Sequence, residues 1–468
     1  MGDRQWQTVG KMATGSLVIL GLLAGLKSLQ GDLAWANPLS SNPSNSNRSQ
    51  SVHPKSPPLK ANPPQINPLK TNPLKGKPLK GKPLQNKLMA QQAKTVNPIL
   101  VNANTRFGFK LYSQILERDR NQNVFVSPSS VAIALAMVYN GANGETQRAM
   151  AKAMEIQGLN LQDLNRANAD LKKLLENPDP QVQLAIANSL WARRGIPFKP
   201  EFIQRNQQFY DAKVTDLDFA DPRSLTTINR WVSQNTRGKI NQIIDQINAD
   251  DVMFLINAIY FKGNWSKKFD KAKTIQAPFY GANGAAKQHP MMTQQGQYRY
   301  YENDQFQAVS LPYGENRRLS FYVFLPKQTS NLATLHQTLR SENWEQWMNQ
   351  FRNRPGSIQI PRFKMDYNVE LTGALSALGM AEAFSSRANF SGLSPVPTLI
   401  NQVKHKTFVE VNEEGTEAAA VTSIGIRATS AIIPEEPFKL VVDRPFFCAI
   451  RDNSTGSVLF MGSIVDPK

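Results

Sequence analysis

The 468-residue chain holds one cysteine and four histidines, and from residue 37 to 97 it has no acidic and no aromatic residue. A single thiol excludes an intramolecular disulfide framework in any redox compartment. It stands as Cys448 in the apolar run RPFFCAIRD, where packing is expected rather than nucleophilic chemistry. His53, His289, His336 and His405 form neither an H-E-x-x-H pair nor a Cys/His ligand spacing, so no metal site is expected. No serine lies in a G-x-S-x-G elbow and the carboxylates are scattered. GKPLKGKP, from Gly76, begins like a phosphate loop but puts Pro83 where a Ser or Thr should hold magnesium. Neither a cofactor nor an enzymatic activity is expected.

The net charge of +18 is unevenly spread. Residues 1–97 hold 13 Lys or Arg against 2 Asp or Glu, leaving 41 against 34 for the remainder. Arg4 and Lys11 precede the apolar run Met12–Leu26, and AWA at Ala34–Ala36 is a small-x-small cleavage site. The run is short of the roughly 20 residues of a membrane span. Residues 1–36 are therefore predicted to be a signal peptide cleaved after Ala36, with an uncleaved anchor as the alternative. The product is expected in the extracellular space, periplasm or cell envelope. An exported basic chain points to anionic envelope polymers or lipid head groups, not to nucleic acid. Residues 37–97 read as an extended linker, with prolines at five-residue intervals from Pro63 to Pro83 that fit neither helix nor strand.

From Pro98 the pattern is that of one packed α+β domain, 98–468. NTRFGFKLYSQILERD has helical spacing, and SPSSVAIALAMVYN starts a second helix with Ser127 placed to cap and Pro128 in the first turn. QLAIANSLWARRG, VMFLINAIYFKGNW, LSFYVFLP and FKLVVDRPFFCAI are strand-like. Helices and strands alternate irregularly, which argues for more than one sheet. His405, alternating with hydrophobic residues in QVKHKTFVEV, is expected to be a structural histidine on a strand. Lys172–Lys173 and Arg317–Arg318 read as solvated basic pairs.

The segment EEGTEAAAVTSIGIRATS, Glu413–Ser430, has no chemistry of its own. Written as a strand, it places Thr416, Ala418, Ala420, Thr422, Ile424 and Ile426 on one small or apolar face. Gly415, Thr416 and three alanines would equally suit a loop or short helix, so the segment is a two-state candidate.

Seven motifs, in order, resemble the serpins over residues 98–468: NVFVSPSSVAIALAMVYNGANGET, INRWVSQNTRGKI, LINAIYFKGNW, LPYGENRRLSFYVFLP, IPRFKMDYNVELTGALSALGM, VEVNEEGTEAAAVT and DRPFFCAIRDNSTGSVLFMGSIVDP. The resemblance implies helices around three β-sheets and an exposed C-terminal reactive loop. It implies a suicide-substrate inhibitor of serine proteases, in which the cut loop inserts into the largest sheet and traps the acyl-enzyme. The non-inhibitory members (carriers or chaperones) and inhibitors of cysteine proteases are the alternatives.

Carried onto this sequence, the hinge is Glu413, Glu414, Gly415, Thr416, Glu417, Ala418, Ala419 and Ala420. The reactive bond is Thr429–Ser430, suited to elastase-like or subtilisin-like targets; cutting at Arg427–Ala428 would suit trypsin-like ones. Ser127, Ser130, Asn257 and His405 resemble the network that rearranges as the sheet opens, with Trp265 where the loop first inserts. His289 stands where a β-branched residue is usual. A monomer is expected.

Overall fold

The computed structural model describes residues 96–176, 178–248, 250–416 and 436–468. Asn97 starts the first helix: its side chain accepts the Ile99 N–H at 2.9 Å, and Pro98 fills the first turn, where no donor is needed. The elements are α1 (Pro98–Asp119), β1 (Val124–Val126), α2 (Pro128–Tyr139), α3 (Gly144–Ala153), α4 (Leu161–Glu176), β2 (Val182–Arg193), α5 (Pro200–Tyr210) and β3 (Lys213–Leu217). There follow α6 (Arg223–Asn235), β4 (Met253–Asn264), β5 (Ile275–Tyr280), β6 (Ala286–Glu302), β7 (Phe306–Pro312), β8 (Leu319–Pro326), α7 (Leu332–Thr338) and α8 (Ser341–Gln350). The rest are β9 (Arg352–Pro361), β10 (Phe363–Glu370), α9 (Thr372–Leu375), β11 (Gln402–Val411), β12 (Gly415–Thr416), β13 (Phe438–Val441), β14 (Phe446–Asp452) and β15 (Val458–Ile464).

Among the described residues the strands form two hydrogen-bonded sheets. One runs β10-β11-β4-β2-β3, with β12 laid against β4. The other runs β1-β15-β14-β8-β7-β6-β9-β13, with β5 also on β6. The 17-residue β6 is long enough to pair with β7 at one end and with β5 along the other, so it joins the second and third of the expected sheets into one ladder. The α+β architecture follows from strands that neighbour each other in sequence and helices that cover their faces.

The central strand β4 shows why its sequence is almost continuously apolar. Met253, Leu255, Ile259 and Phe261 enter the main core, whereas Phe254, Ile256, Ala258 and Tyr260 enter a second cluster with Ile228 and Val232 of α6. Both faces are covered, so alternation is lost. FKLVVDRPFFCAI is broken into β13 and β14 around Pro445, which has no N–H to offer a ladder. Cys448 is fully buried on β14, between its ladder partners Val323 and Gly462. Burial raises its thiol pKa well above the usual range, so it stays protonated.

Neither pair read as solvated is so throughout. Arg318 is buried against Asp452, its Nε 3.0 Å from Oδ2, and Lys172 is largely covered beside Glu176. Arg318 pairs across the fold and leaves no short-range signature of it, whereas Lys172 and Glu176 are four residues apart on α4.

Candidate functional site

β11 and β4 are adjacent parallel strands, paired from Gln402↔Phe254 to Phe408↔Tyr260. Beyond that rung their ladder ends, although β11 continues to Val411 and β4 to Asn264. Into the parting comes β12: the chain turns at Asn412–Gly415 and pairs antiparallel with β4, Gly415 opposite Asn264 and Thr416 opposite Gly263. Asn412 and Gly415 exchange backbone bonds of 2.8 and 3.2 Å, and the Asn412 side chain accepts the Glu414 N–H at 3.0 Å. Two hinge residues, Gly415 and Thr416, thus already run as a strand beside β4.

Trp265 builds the floor of this turn. Its indole is 3% exposed, stacks on Tyr313 at 4.5 Å, and donates from Nε1 to the Asn412 carbonyl at 2.8 Å. Its N–H donates to the Glu414 carbonyl at 2.9 Å, and Phe269 N–H donates to that of Glu413 at 2.8 Å. The carboxylates of Glu413 and Glu414 are buried and matched. Glu414 meets Lys268 at 2.8 Å and Lys271 at 3.0 Å, and the hydrogen bond from Lys268 foremost holds its pKa below the usual range. Glu413 accepts from Thr274 Oγ1 at 2.7 Å and faces Arg362 Nε at 3.7 Å. His289 joins this group through its Nε2, which donates to the Arg362 carbonyl at 2.5 Å.

The polar network lies beneath β4 and β11. His405 Nε2 accepts the Ser127 N–H at 3.0 Å, which places the ring proton on Nδ1, where it is donated to Asn257 Oδ1 at 2.5 Å. Asn257 Nδ2 donates to Ser130 Oγ and to Asn188 Oδ1, each at 2.6 Å. His405 is completely buried, which pushes its pKa down to about 3, so the ring is neutral. Ser127 occupies the N-cap position of α2, but its side chain does not cap. Its Oγ donates instead to the Leu459 carbonyl at 2.5 Å, because β15 offers a buried acceptor beside it.

The structure therefore brings together Ser127, Ser130, Asn257 and His405 in one network, and Glu413, Glu414, Gly415 and Trp265 in another. Glu417, Ala418, Ala419, Ala420, Arg427, Ala428, Thr429 and Ser430 lie outside the described residues. Among the described residues no group of His, Cys, Asp and Glu could hold a metal ion.

A family model described as Serpin (serine protease inhibitor) matches residues 102–467. The chain is a serpin. It is 36% identical to the leukocyte elastase inhibitor of Bos taurus over 384 residues, 78% of this chain and 98% of that one. It is 32% identical to neuroserpin of Homo sapiens, covering 76% and 89% of the two chains. The native state of tengpin, a thermophilic serpin, superposes with a TM-score of 0.72 at 32% identity, covering 78% and 94%.

In this serpin, reading the sequence alone missed Asn188, Lys268, Lys271, Thr274 and Arg362. Asn188 had a signal: it is the one asparagine in the apolar run QLAIANSLW, and it faces Asn257 across the β2–β4 ladder. The cation-rich stretch SKKFDKAK after Trp265 was the signal for Lys268 and Lys271. Thr274 and Arg362 left none.

Proposed function

We propose that this serpin is an exported suicide-substrate inhibitor of serine proteases. The observation that supports the reading is the parting of β4 and β11 beyond Tyr260 and Phe408, with Gly415–Thr416 already antiparallel to β4. The protease serine attacks the Thr429 carbonyl, the bond to Ser430 breaks, and the Ser430 amine leaves with the proton. An ester to Thr429 remains. Residues from Glu417 onward then extend β12 between β4 and β11 before water reaches that ester. About ten new ladder bonds at roughly 1 kcal/mol each would drive the insertion. Thr416, Ala418 and Ala420 supply a face small enough to enter.

Thr429–Ser430 suits elastase-like or subtilisin-like targets, and the elastase inhibitor among the relatives is consistent with that. Cutting at Arg427–Ala428 is the trypsin-like alternative. Residues 1–36 direct export, and the basic segment 37–97 tethers the inhibitor to an anionic envelope polymer; its deletion should release the protein while leaving inhibition intact.

The test is incubation with elastase, subtilisin and trypsin. A complex that survives hot detergent is expected with at least one, and mass spectrometry of the released peptide should begin at Ser430. Cleaved loop without complex in every case would overturn the reading. Ala420→Pro is expected to turn inhibitor into substrate.

A further inference from the structure

Tyr260 and Phe408 face each other on the last rung shared by β4 and β11. Their rings belong to the second hydrophobic cluster, with centroids 6.0 Å apart. Lys239 Nζ lies 6.0 Å from the Tyr260 centroid and 5.9 Å from that of Phe408. One cation thus spans the boundary between the two strands. Lys364, on β10, stands 5.2 Å from the Phe408 ring alone and spans nothing.

The placement of Lys239 is built. α6 ends at Asn235, and Arg237 and Gly238 both have positive φ, turning the chain back beneath the helix. Gly238 N–H bonds the Ser233 carbonyl at 2.8 Å and Lys239 N–H bonds that of Thr236 at 3.0 Å. Ile240, fully buried in the second cluster, anchors the far side. The backbone that carries the side chain is thus fixed on both flanks.

We propose that Lys239 is a latch: by sitting over both rings it holds β4 to β11 at their last rung and sets how fast a new strand is admitted. Neighbouring strands lie about 4.8 Å apart, so admitting one between them roughly doubles that spacing. A cation is held by a ring only within about 6 Å of its centroid. With another strand between them the two centroids would stand roughly 11 Å apart, and a cation near both would have to sit midway, in the line of the incoming strand. The bridging geometry therefore exists only in the closed sheet and is lost when Glu417 and its successors follow Gly415–Thr416. Lys239 is a positioning residue that touches neither protease nor the reactive bond. Its consequence for inhibition rests on the function proposed above, but the closed rung does not.

The test separates the two. An acetylated peptide of residues 416–429 is annealed to the intact protein, and insertion is followed by the gain in thermal stability and by native gels. Lys239→Met keeps length and apolar volume but removes the cation. It is expected to anneal the peptide roughly tenfold faster, as the loss of a contact of this class implies. Lys239→Arg should restore the slow rate, and Tyr260→Leu should match Lys239→Met. If Lys239→Met anneals at the wild-type rate, or Lys239→Arg fails to restore it, the latch is refuted. Failure of the wild type to trap any protease, with the annealing differences intact, would sink the proposed function and leave the latch standing.

Discussion

Gly415 lies against Gly263 so closely that a Cβ at residue 415 would stand 2.0 Å from the Gly263 carbonyl oxygen and 2.5 Å from the Asn264 Cα. Its φ of +145° is one that side-chain-bearing residues rarely adopt. Both contacts are to backbone and cannot be relieved by a rotamer change. Gly415→Ala is expected to cost about 1–3 kcal/mol at the hinge turn. It should lower the yield of covalent complex in favour of cleaved loop, as gel densitometry against a fixed amount of protease would read. An unchanged yield would mean that β12 is not the start of the inserting strand.

His405 makes stability depend on pH with a defined sign. Its folded pKa, about 3, lies below the ordinary value of about 6.5, so on acidification the unfolded state takes up a proton that the fold refuses. The penalty is absent above pH 6.5 and grows as pH falls toward 3, reaching about 2 kcal/mol at pH 5. His336, lowered by burial to about 4, adds a second contribution of the same sign. Urea unfolding at pH 7 and pH 5 should show a smaller drop for His405→Gln than for the wild type. Equal drops would mean that His405 is not the group responsible.

Asn257 Nδ2 divides its donation between Ser130 and Asn188. Removing either acceptor leaves the other, so Ser130→Ala and Asn188→Ala should each cost about 1 kcal/mol. Together they leave Asn257 Nδ2 only its longer bond, 3.3 Å, to the Ser130 backbone carbonyl, and the double variant should lose more than the sum of the singles. A double-mutant cycle by thermal unfolding checks this; strict additivity would argue against a shared network.

Glu414 sits between Lys268 and Lys271, so Glu414→Lys puts a third cation in their place. The turn from Asn412 to Gly415 should lift from Trp265 and expose its indole, shifting its fluorescence to the red. The same substitution made together with Trp265→Phe should show no shift relative to Trp265→Phe alone.

Much of the fold was legible because hydrophobic patterning is local. The continuous apolar run of β4 and the helical spacing of α1 are each visible within a dozen or so residues. His405 was legible as a strand residue for the same reason, whereas the hinge was placed by the serpin resemblance, its residue types alone suiting strand, loop or short helix. What was not legible is long-range partnership. The ion pair of Arg318 with Asp452, the use of Ser127 Oγ by Leu459, and the facing of Glu413 by Arg362 each join segments far apart in sequence. Lys239 gave no hint, since a lysine after a helix reads as solvated until the rings beneath it are known.

The lone thiol carries a practical consequence. Cys448 is sealed within β14 and kept protonated by burial, so alkylating reagents should pass it by while the fold is intact. The native protein therefore comes with a silent chemical background. A cysteine introduced at an exposed position such as Lys271, which meets Glu414, would be its one reactive handle, and a fluorophore there would report events at the hinge turn without interference.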